Sequence, residues 1–165
     1  PAGLGVWIVN EQCIAKAEKM VSAGQRIGTY HSLPFYLLNA KKNQTPETPN
    51  VLGIYLLGKV IEDFLRRGIE VIRKETEYKA AILYQALDRH PLVSSFVKDK
   101  SARSQTVVVA TGEKTKWIAD ELLKNGIQPG DGYGEHKKTQ LRFANFPAHS
   151  KEQYEWLVDT LEKLA

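Results

Sequence analysis

The 165-residue chain is 42% hydrophobic and 25% charged, a balance that excludes a disordered or collagen-like protein and is typical of a soluble globular one. Its net charge of +4 does not indicate nucleic-acid binding, because Lys and Arg alternate with Glu and Asp along the predicted helices. No apolar run approaches the roughly 20 residues that cross a bilayer. We therefore expect a cytoplasmic protein that binds neither membrane nor nucleic acid.

The N-terminal third is predicted to contain a strand and two helices. Apolar residues are consecutive in the strand and recur at helical spacing in the helices. The only cysteine, Cys13, cannot form an internal disulfide and is predicted to be a small buried residue on the first helix. In chain order we expect a strand over 5–9, a helix over 11–23, a connector over 25–29, a short helix over 31–38 and a polar stretch over 41–50.

Two long helices are predicted in the middle of the chain. Apolar residues occupy every side of the first, over 51–65, which predicts a helix buried on nearly all sides. Gly68 separates it from an amphipathic helix over 69–90. A small domain can hardly cover both helices, so we expect a partner subunit or further chain to do so.

The last third alternates strands and helices, the pattern of an α+β unit. Strands are predicted over 94–97, 105–110 and 139–146, and helices over 113–124 and 151–164. Ser150 followed by Gln153 forms a capping box that predicts the start of the final helix.

A first candidate anion site lies in the polar loop before the first long helix. Thr48 is predicted to be the N-cap of this helix and Pro49 its first residue. Free N–H groups and the helix dipole attract anions at such an end, and threonine hydroxyls add donors. On local grounds alone, plain capping without a ligand is the simpler explanation.

A second candidate site surrounds Arg142, which stands inside an apolar strand on the same face as Ala144 and Phe146. A guanidinium there requires an anion, either an internal Asp or Glu or the carboxylate of a substrate. His136, Lys137 and Lys138 follow flexible glycines and could hold a second anionic group, although a solvated loop is the simpler explanation. The histidines lack metal-ligand spacing, and no glycine-rich phosphate loop is present.

Three segments together resemble the C-terminal part of the phosphoserine aminotransferase family, class V enzymes of fold type I that depend on pyridoxal phosphate. PAGLGVWIV is similar to the strand after the family's Schiff-base lysine. SLPFYLLNAKKNQTPETPNVLGIYLLG is similar to a stretch that leads through an Asn-Thr-Pro-Pro-Thr motif into a Tyr-Leu-x-Gly helix. Residues 134–148 match a Gly-His-Arg-Ser-Val-Gly-Gly-Met-Arg-Ala-Ser-Ile-Tyr-Asn-Ala segment without gaps.

The resemblance implies an α/β fold in which the last strand and long helices of a large domain precede a small α+β domain. Residues 1–67 would end the large, cofactor-binding domain and include a dimer-interface helix, and residues 68–165 would form the small domain. It also implies a homodimer whose subunits share the active site. The Schiff-base lysine is expected upstream of Pro1, so no catalytic residue is expected in this chain, which should be inactive alone.

The resemblance also implies roles for individual residues. Thr48 takes the place of the threonine that reaches the cofactor phosphate of the other subunit; Glu47 replaces an asparagine beside it, so Thr45 or the backbone is expected to contribute. Arg142 matches the arginine that binds the substrate α-carboxylate. A His-Arg pair that holds the substrate phosphate falls on Glu135 and His136. Of this pair only His136 keeps a role, with Lys137 or Lys138 as the replacement.

The implied reaction is transamination of 3-phosphohydroxypyruvate with glutamate to O-phosphoserine, a step of serine biosynthesis. Two alternatives stay open. The protein could be another class V aminotransferase, acting on alanine or serine with glyoxylate or pyruvate, since Glu135 occupies a phosphate-binding position. It could also be a non-catalytic domain that binds an anion or partner through Thr48 and Arg142.

Overall fold

A computed structural model describes residues 3–25, 28 and 30–165. The chain divides into two compact units, Pro1–Asp63 and Phe64–Ala165. The domain boundary expected after residue 67 stays a prediction. Among the described residues no helix has the length and apolar character needed to cross a membrane, and no group of His, Cys, Asp or Glu could hold a metal ion.

The first unit contains helices α1 (Glu11–Ser22) and α2 (Leu33–Ala40) and most of α3 (Val51–Arg67). Asn10 caps α1, because its side chain accepts a hydrogen bond from the Cys13 N–H. Asn50 plays the same part for α3 by accepting from the Gly53 N–H at 2.9 Å. The predicted N-cap, Thr48, is therefore wrong: the helix begins two residues later, where an asparagine side chain satisfies its third N–H group.

Two predictions for the N-terminal region are wrong, because no described residue covers this region or pairs with it. Residues 5–9 form no strand, since no described segment offers them ladder hydrogen bonds, and Ile8 is 96% exposed. Cys13 is exposed rather than buried, on a helix without a single buried residue. Within the predicted connector, residues 26, 27 and 29 lie outside the described part of the chain, as do residues 1 and 2 of the predicted opening segment.

The burial of α3 on nearly all sides, expected with a partner subunit or further chain as cover, stays a prediction. None of its residues is buried, and exposed apolar side chains run along its whole length, from Leu52 at 67% to Leu65 at 78% exposure. The apolar pattern itself is as the sequence indicates, but the described residues do not cover it. A continuous apolar surface of this kind is typical of a protein–protein contact.

The second unit is a sheet covered by three helices, in agreement with the predicted α+β unit. Its antiparallel strands lie in the order β1-β2-β4-β3. The bounds are α4 (Ile69–Arg89), β1 (Ser94–Ser95), β2 (Val107–Thr111), α5 (Thr115–Lys124), β3 (Gly130–Asp131), β4 (Gln140–Ala144) and α6 (Lys151–Glu162), with short 3-10 helices at Lys100–Ala102 and Gly134–Lys138. The capping box of Ser150 and Gln153 is confirmed at the start of α6.

The core lies between one face of the sheet and the three helices. Leu141 and Phe143 of β4 face this core together with their partners across the strand pair, Ala110 and Val108. Helices α4, α5 and α6 contribute Leu83, Leu87, Ile118, Leu122, Leu157 and Leu161. Because side chains alternate along a strand, Arg142 projects from the opposite face, which is partly solvated rather than core.

A buried lysine holds the loop between β4 and α6. Lys79 of α4 is 1% exposed, and its ammonium group donates to the backbone oxygens of Phe146 at 3.1 Å and His149 at 2.6 Å. It also lies 5.4 Å from the centroid of the Tyr154 ring. Burial lowers the pKa of Lys79, and the two carbonyl groups offset part of the cost of desolvating its charge.

Candidate functional site

The loop between α2 and α3 carries the two threonines predicted to bind a phosphate. The Thr45 hydroxyl donates to the backbone oxygen of Glu47 and closes a tight turn. The Thr48 hydroxyl is exposed and forms no hydrogen bond with any described residue. Both threonines line an open groove of about 530 Å³. Of the two hydroxyls, that of Thr48 is therefore the one available to donate to a ligand.

The N-terminal end of α3 has fewer free N–H groups for an anion than the sequence indicates. The Gly53 N–H donates to the Asn50 side-chain oxygen, and the Val51 N–H donates to the backbone oxygen of Pro49 at 2.8 Å. Glu47 adds an exposed negative charge to the same loop. The helix dipole still favours an anion here, so these residues fit a supporting part in holding a phosphate rather than a complete site.

The guanidinium of Arg142 is held by the strand and loop beside it. Its Nε donates to the backbone oxygen of Asp131, and its Nη1 donates to the Tyr133 hydroxyl oxygen at 2.9 Å. Its carbon lies 4.0 Å from the centroid of the Tyr133 ring. Nη2 lies against Gly130, where an added Cβ would come within 3.2 Å of it. These contacts fix the plane of the guanidinium.

No carboxylate pairs with Arg142 in the part of the chain that the structure describes. Both N–H bonds of Nη2 and one of Nη1 have no partner there. Of the two explanations that the sequence left open, the structure provides no internal Asp or Glu and so favours an external anion. Arg142 also lines a cleft of about 310 Å³ together with His149 and Trp156, which is space for a small molecule.

The loop over 132–139, which carries the other predicted anion-binding residues, has a fixed backbone. The Thr115 and Thr111 hydroxyls donate to the backbone oxygens of Lys138 and Thr139, each at 3.0 Å. Gly132 packs so closely that an added Cβ would lie 2.3 Å from the backbone oxygen of His136. The anchoring is to β2 and α5, so this loop is held by the core of its unit.

The side chains of this loop project into solvent. His136 is about half exposed, and its Nε2 lies 3.6 Å from an oxygen of Glu135. Its ring lies 5.8 Å from that of Phe96. Lys137 and Lys138 are exposed and have no ion pair among the described residues. The loop therefore offers positive charge on a rigid backbone, with one carboxylate beside it.

The predicted site residues fall into the two compact units. Thr45 and Thr48 share one loop of the first unit, while Arg142 and the loop of His136 and Lys137 lie in the second, linked through Tyr133. Tyr133 was not predicted from the sequence as a partner of Arg142. The available signal was an aromatic residue between two glycines, on the connection from β3 to β4.

Comparisons of sequence and structure with known proteins point to the same family. The profile of the family described as Aminotransferase class-V matches residues 1–133. A putative phosphoserine aminotransferase of Mycolicibacterium vanbaalenii is 28% identical over 170 residues, covering 96% of this chain and 46% of that protein. The crystal structure of a phosphoserine aminotransferase from Cytophaga hutchinsonii is 45% identical, with a TM-score of 0.93, and covers 99% of this chain and 45% of that one.

A more distant structure shows the same fold. An alanine–glyoxylate aminotransferase from Nostoc sp. has a TM-score of 0.58 at 20% identity, covering 88% of this chain and 36% of that one. The predicted α/β class, with the fold of pyridoxal-phosphate aminotransferases, is confirmed by these structures. The chain spans somewhat less than half the length of the curated relatives that it matches.

Proposed function

The chain belongs to the class V aminotransferase family, and we propose that the protein transfers the amino group of glutamate to 3-phosphohydroxypyruvate, giving O-phosphoserine for serine biosynthesis. The named relatives support this substrate, because the matched proteins of M. vanbaalenii and C. hutchinsonii are described as phosphoserine aminotransferases. The observation that carries the proposal is the guanidinium of Arg142, held in place but without an internal carboxylate. A cytoplasmic location accompanies this function.

Arg142 would bind the α-carboxylate of each substrate. Two parallel N–H bonds from one guanidinium fix both the position and the plane of a carboxylate. Because the amino donor and the keto acceptor share this group, one arginine serves both halves of the reaction. Holding the carboxylate sets the orientation of the bond that must break at the neighbouring carbon, and such orientation is a large part of catalysis.

Thr48 would hold the cofactor through its unengaged hydroxyl, with Thr45 as the second candidate. Pyridoxal phosphate, when bound, supplies the electron sink for proton removal beside the amino group. The threonines and the dipole of α3 suit its phosphate, although Glu47 opposes an anion at close range. The residues proposed in this chain bind and orient; none of them is proposed to move the proton.

The phosphate of the substrate would meet the loop over 132–139. His136 and Lys137, with Lys138 beside them, offer N–H donors and positive charge on a fixed backbone. Glu135 is the observation that favours the second candidate, another class V aminotransferase acting on alanine or serine. The Glu135 side chain is 88% exposed, and its carboxylate lies only 3.6 Å from His136. Its negative charge weakens the electrostatic attraction between this loop and a phosphate.

The exposed apolar surface of α3 supports a homodimer. Leu52, Leu56 and Leu65 are each at least half exposed among the described residues, and a second copy of the chain would cover such a surface. In the proposed dimer Thr48 of one subunit serves the active site of the other.

An assay of amino donors tests the proposal. The complete gene product that contains this chain is supplied with pyridoxal phosphate and 2-oxoglutarate, and O-phosphoserine, serine and alanine are compared as donors. We expect kcat/KM for O-phosphoserine to exceed the others by about a hundredfold or more, since charged groups left unpaired in the site disfavour the smaller donors. A preference for serine or alanine would establish the second candidate, and the absence of any transamination would favour a non-catalytic anion-binding domain.

A further inference from the structure

Tyr133 contacts Arg142 in two independent ways. Its ring lies over the guanidinium, with 4.0 Å between the ring centroid and the guanidinium carbon, a distance suited to cation–π stacking. Its hydroxyl oxygen accepts a hydrogen bond from Nη1 at 2.9 Å. Because Tyr133 is 73% exposed, neither contact results from core packing. An exposed aromatic side chain placed in this way suits ligand binding better than stability.

The contacts decide which part of the guanidinium stays available. Nε is occupied by the backbone oxygen of Asp131, so the fork formed by Nε and Nη2 is closed to a ligand. The remaining adjacent nitrogens are Nη1 and Nη2, which together have three N–H bonds without a partner among the described residues. The Tyr133 ring covers one face of the group. A carboxylate must therefore approach the far end of the guanidinium, in its plane.

We infer that Tyr133 is a positioning residue that presets the guanidinium of Arg142 for a substrate carboxylate; the inference rests on the carboxylate-binding role proposed above for Arg142. An arginine side chain that is already ordered loses less conformational freedom when a ligand binds. The Tyr133 hydroxyl accepts from Nη1 but keeps its own hydrogen, which it can donate to the same carboxylate. Gly130 completes the arrangement by leaving room for Nη2.

Two substitutions separate the contributions of the ring and the hydroxyl. Tyr133→Leu removes both contacts, whereas Tyr133→Phe keeps the stacked ring. Tyr78→Phe is the matched control, because the Tyr78 hydroxyl bonds to the exposed side chain of Glu155 at 2.7 Å and not to Arg142. Since Tyr133 is exposed, its replacement leaves no cavity, and the melting temperature of each variant verifies the fold.

The measurement is binding of 2-oxoglutarate to the complete gene product by isothermal titration calorimetry, alongside steady-state kinetics. We expect Tyr133→Leu to raise Kd about five- to tenfold, Tyr133→Phe about two- to threefold and Tyr78→Phe not at all. KM for the amino donor and the keto acid should rise in parallel, with kcat changed less than KM, which a general loss of stability would not produce.

The outcomes separate this inference from the proposed function. If Arg142→Ala abolishes binding but Tyr133→Leu leaves Kd unchanged, the positioning role is overturned while the role of Arg142 stands. If the wild-type protein does not transaminate O-phosphoserine but Tyr133→Leu still weakens binding of 2-oxoglutarate, the inference holds and the proposed substrate fails. If the wild-type protein binds no 2-oxoglutarate, the carboxylate site and the role of Tyr133 are both overturned.

Discussion

The two regions that carry the candidate site are held in different ways. The loop before α3 is closed by hydrogen bonds between residues two or three apart, Thr45 to Glu47 and Gly53 to Asn50. Strand β4 and the loop over 132–139 are tied instead to β2, β3 and α5 by ladder pairs and by the hydroxyls of Thr111 and Thr115. The loop before α3 is held by local hydrogen bonds and is exposed, whereas β4 and the loop over 132–139 are anchored to the core of the second unit.

The difference shows which of the two candidate binding regions this chain organises by itself. The guanidinium of Arg142 has three fixed neighbours in the second unit, so the proposed binding of a carboxylate there would need little rearrangement. The Thr48 hydroxyl has no partner among the described residues and lies beside an uncovered helix.

Removing the guanidinium of Arg142 should have the largest effect on activity. Arg142→Ala in the complete gene product should raise KM for the amino-acid substrate about a hundredfold, because a bidentate charged hydrogen bond is lost. Arg142→Lys should give a KM between those of the wild type and Arg142→Ala, since lysine keeps the positive charge but cannot form two parallel N–H bonds. Steady-state kinetics with O-phosphoserine and glutamate measures both. An unchanged KM in Arg142→Ala would remove this residue from the site.

A methyl group on Gly132 should disrupt the loop held by the core. In Gly132→Ala the new Cβ would lie 2.3 Å from the backbone oxygen of His136, so the backbone must move. We expect a loss of about 2–3 kcal/mol in the free energy of unfolding, measured by urea denaturation. Gly5→Ala is the control from the open region, because no atom lies within 4 Å of the added Cβ. Equal effects of the two substitutions would contradict the contrast.

An ion pair in the second unit should make its stability depend on pH. Arg103 donates two hydrogen bonds of 2.8 Å to Asp88, and mainly this contact holds the pKa of Asp88 below its ordinary value of 3.8. A lowered pKa in the folded state means that the stabilisation is complete above that ordinary value and is lost as pH falls through the folded pKa.

The substitution Asp88→Asn tests this dependence. It should cost about 1 kcal/mol at pH 7, a modest figure because the carboxylate is about one third exposed. The cost should vanish at a pH below the folded pKa, where the wild-type carboxyl is also neutral. Urea unfolding at both pH values measures it, with Asp120→Asn, from an exposed surface pair with Lys116, as the control. A cost that persists at acid pH would show that the charge is not the cause.

The smallest effect is expected in the loop before α3, where substitutions distinguish the roles of Thr45 and Thr48. Thr48→Val should weaken the binding of pyridoxal phosphate to the complete gene product about threefold, the loss of one hydrogen bond from an exposed hydroxyl. Thr45→Val should weaken it less, because that hydroxyl already donates to the backbone oxygen of Glu47. Titration of the cofactor followed by absorbance distinguishes them. A larger loss in Thr45→Val would reverse the assignment.

Local patterns were enough to predict most of the second unit. Alternation along β2 and β4 and the capping box of Ser150 and Gln153 were correct because they depend on neighbouring residues. Strand β3 was missed because it has two residues, one of them glycine. The partnership of Tyr133 and Arg142 depends on the register that pairs Gly130 with Arg142, which no local pattern contains.

The errors in the first unit have a different origin. Thr48 and Asn50 are both good capping residues, and their local preferences do not decide which one the helix uses. The apolar run of α3 was correctly identified, but a pattern indicates only that a surface needs cover and not which residues provide it. The same reasoning applies to Cys13, whose type is usually buried, whereas its helix here packs no face into a core.

The buried ammonium group of Lys79 makes this side chain a natural reporter of unfolding. Acylating reagents need an uncharged amine that they can reach, and Lys79 is 1% exposed and engaged by two carbonyl groups. In the native protein it should be modified far more slowly than exposed lysines such as Lys116. Once the second unit opens, the two should react alike. The rate at which a reagent labels Lys79 would therefore measure how often this unit opens, without any engineered probe.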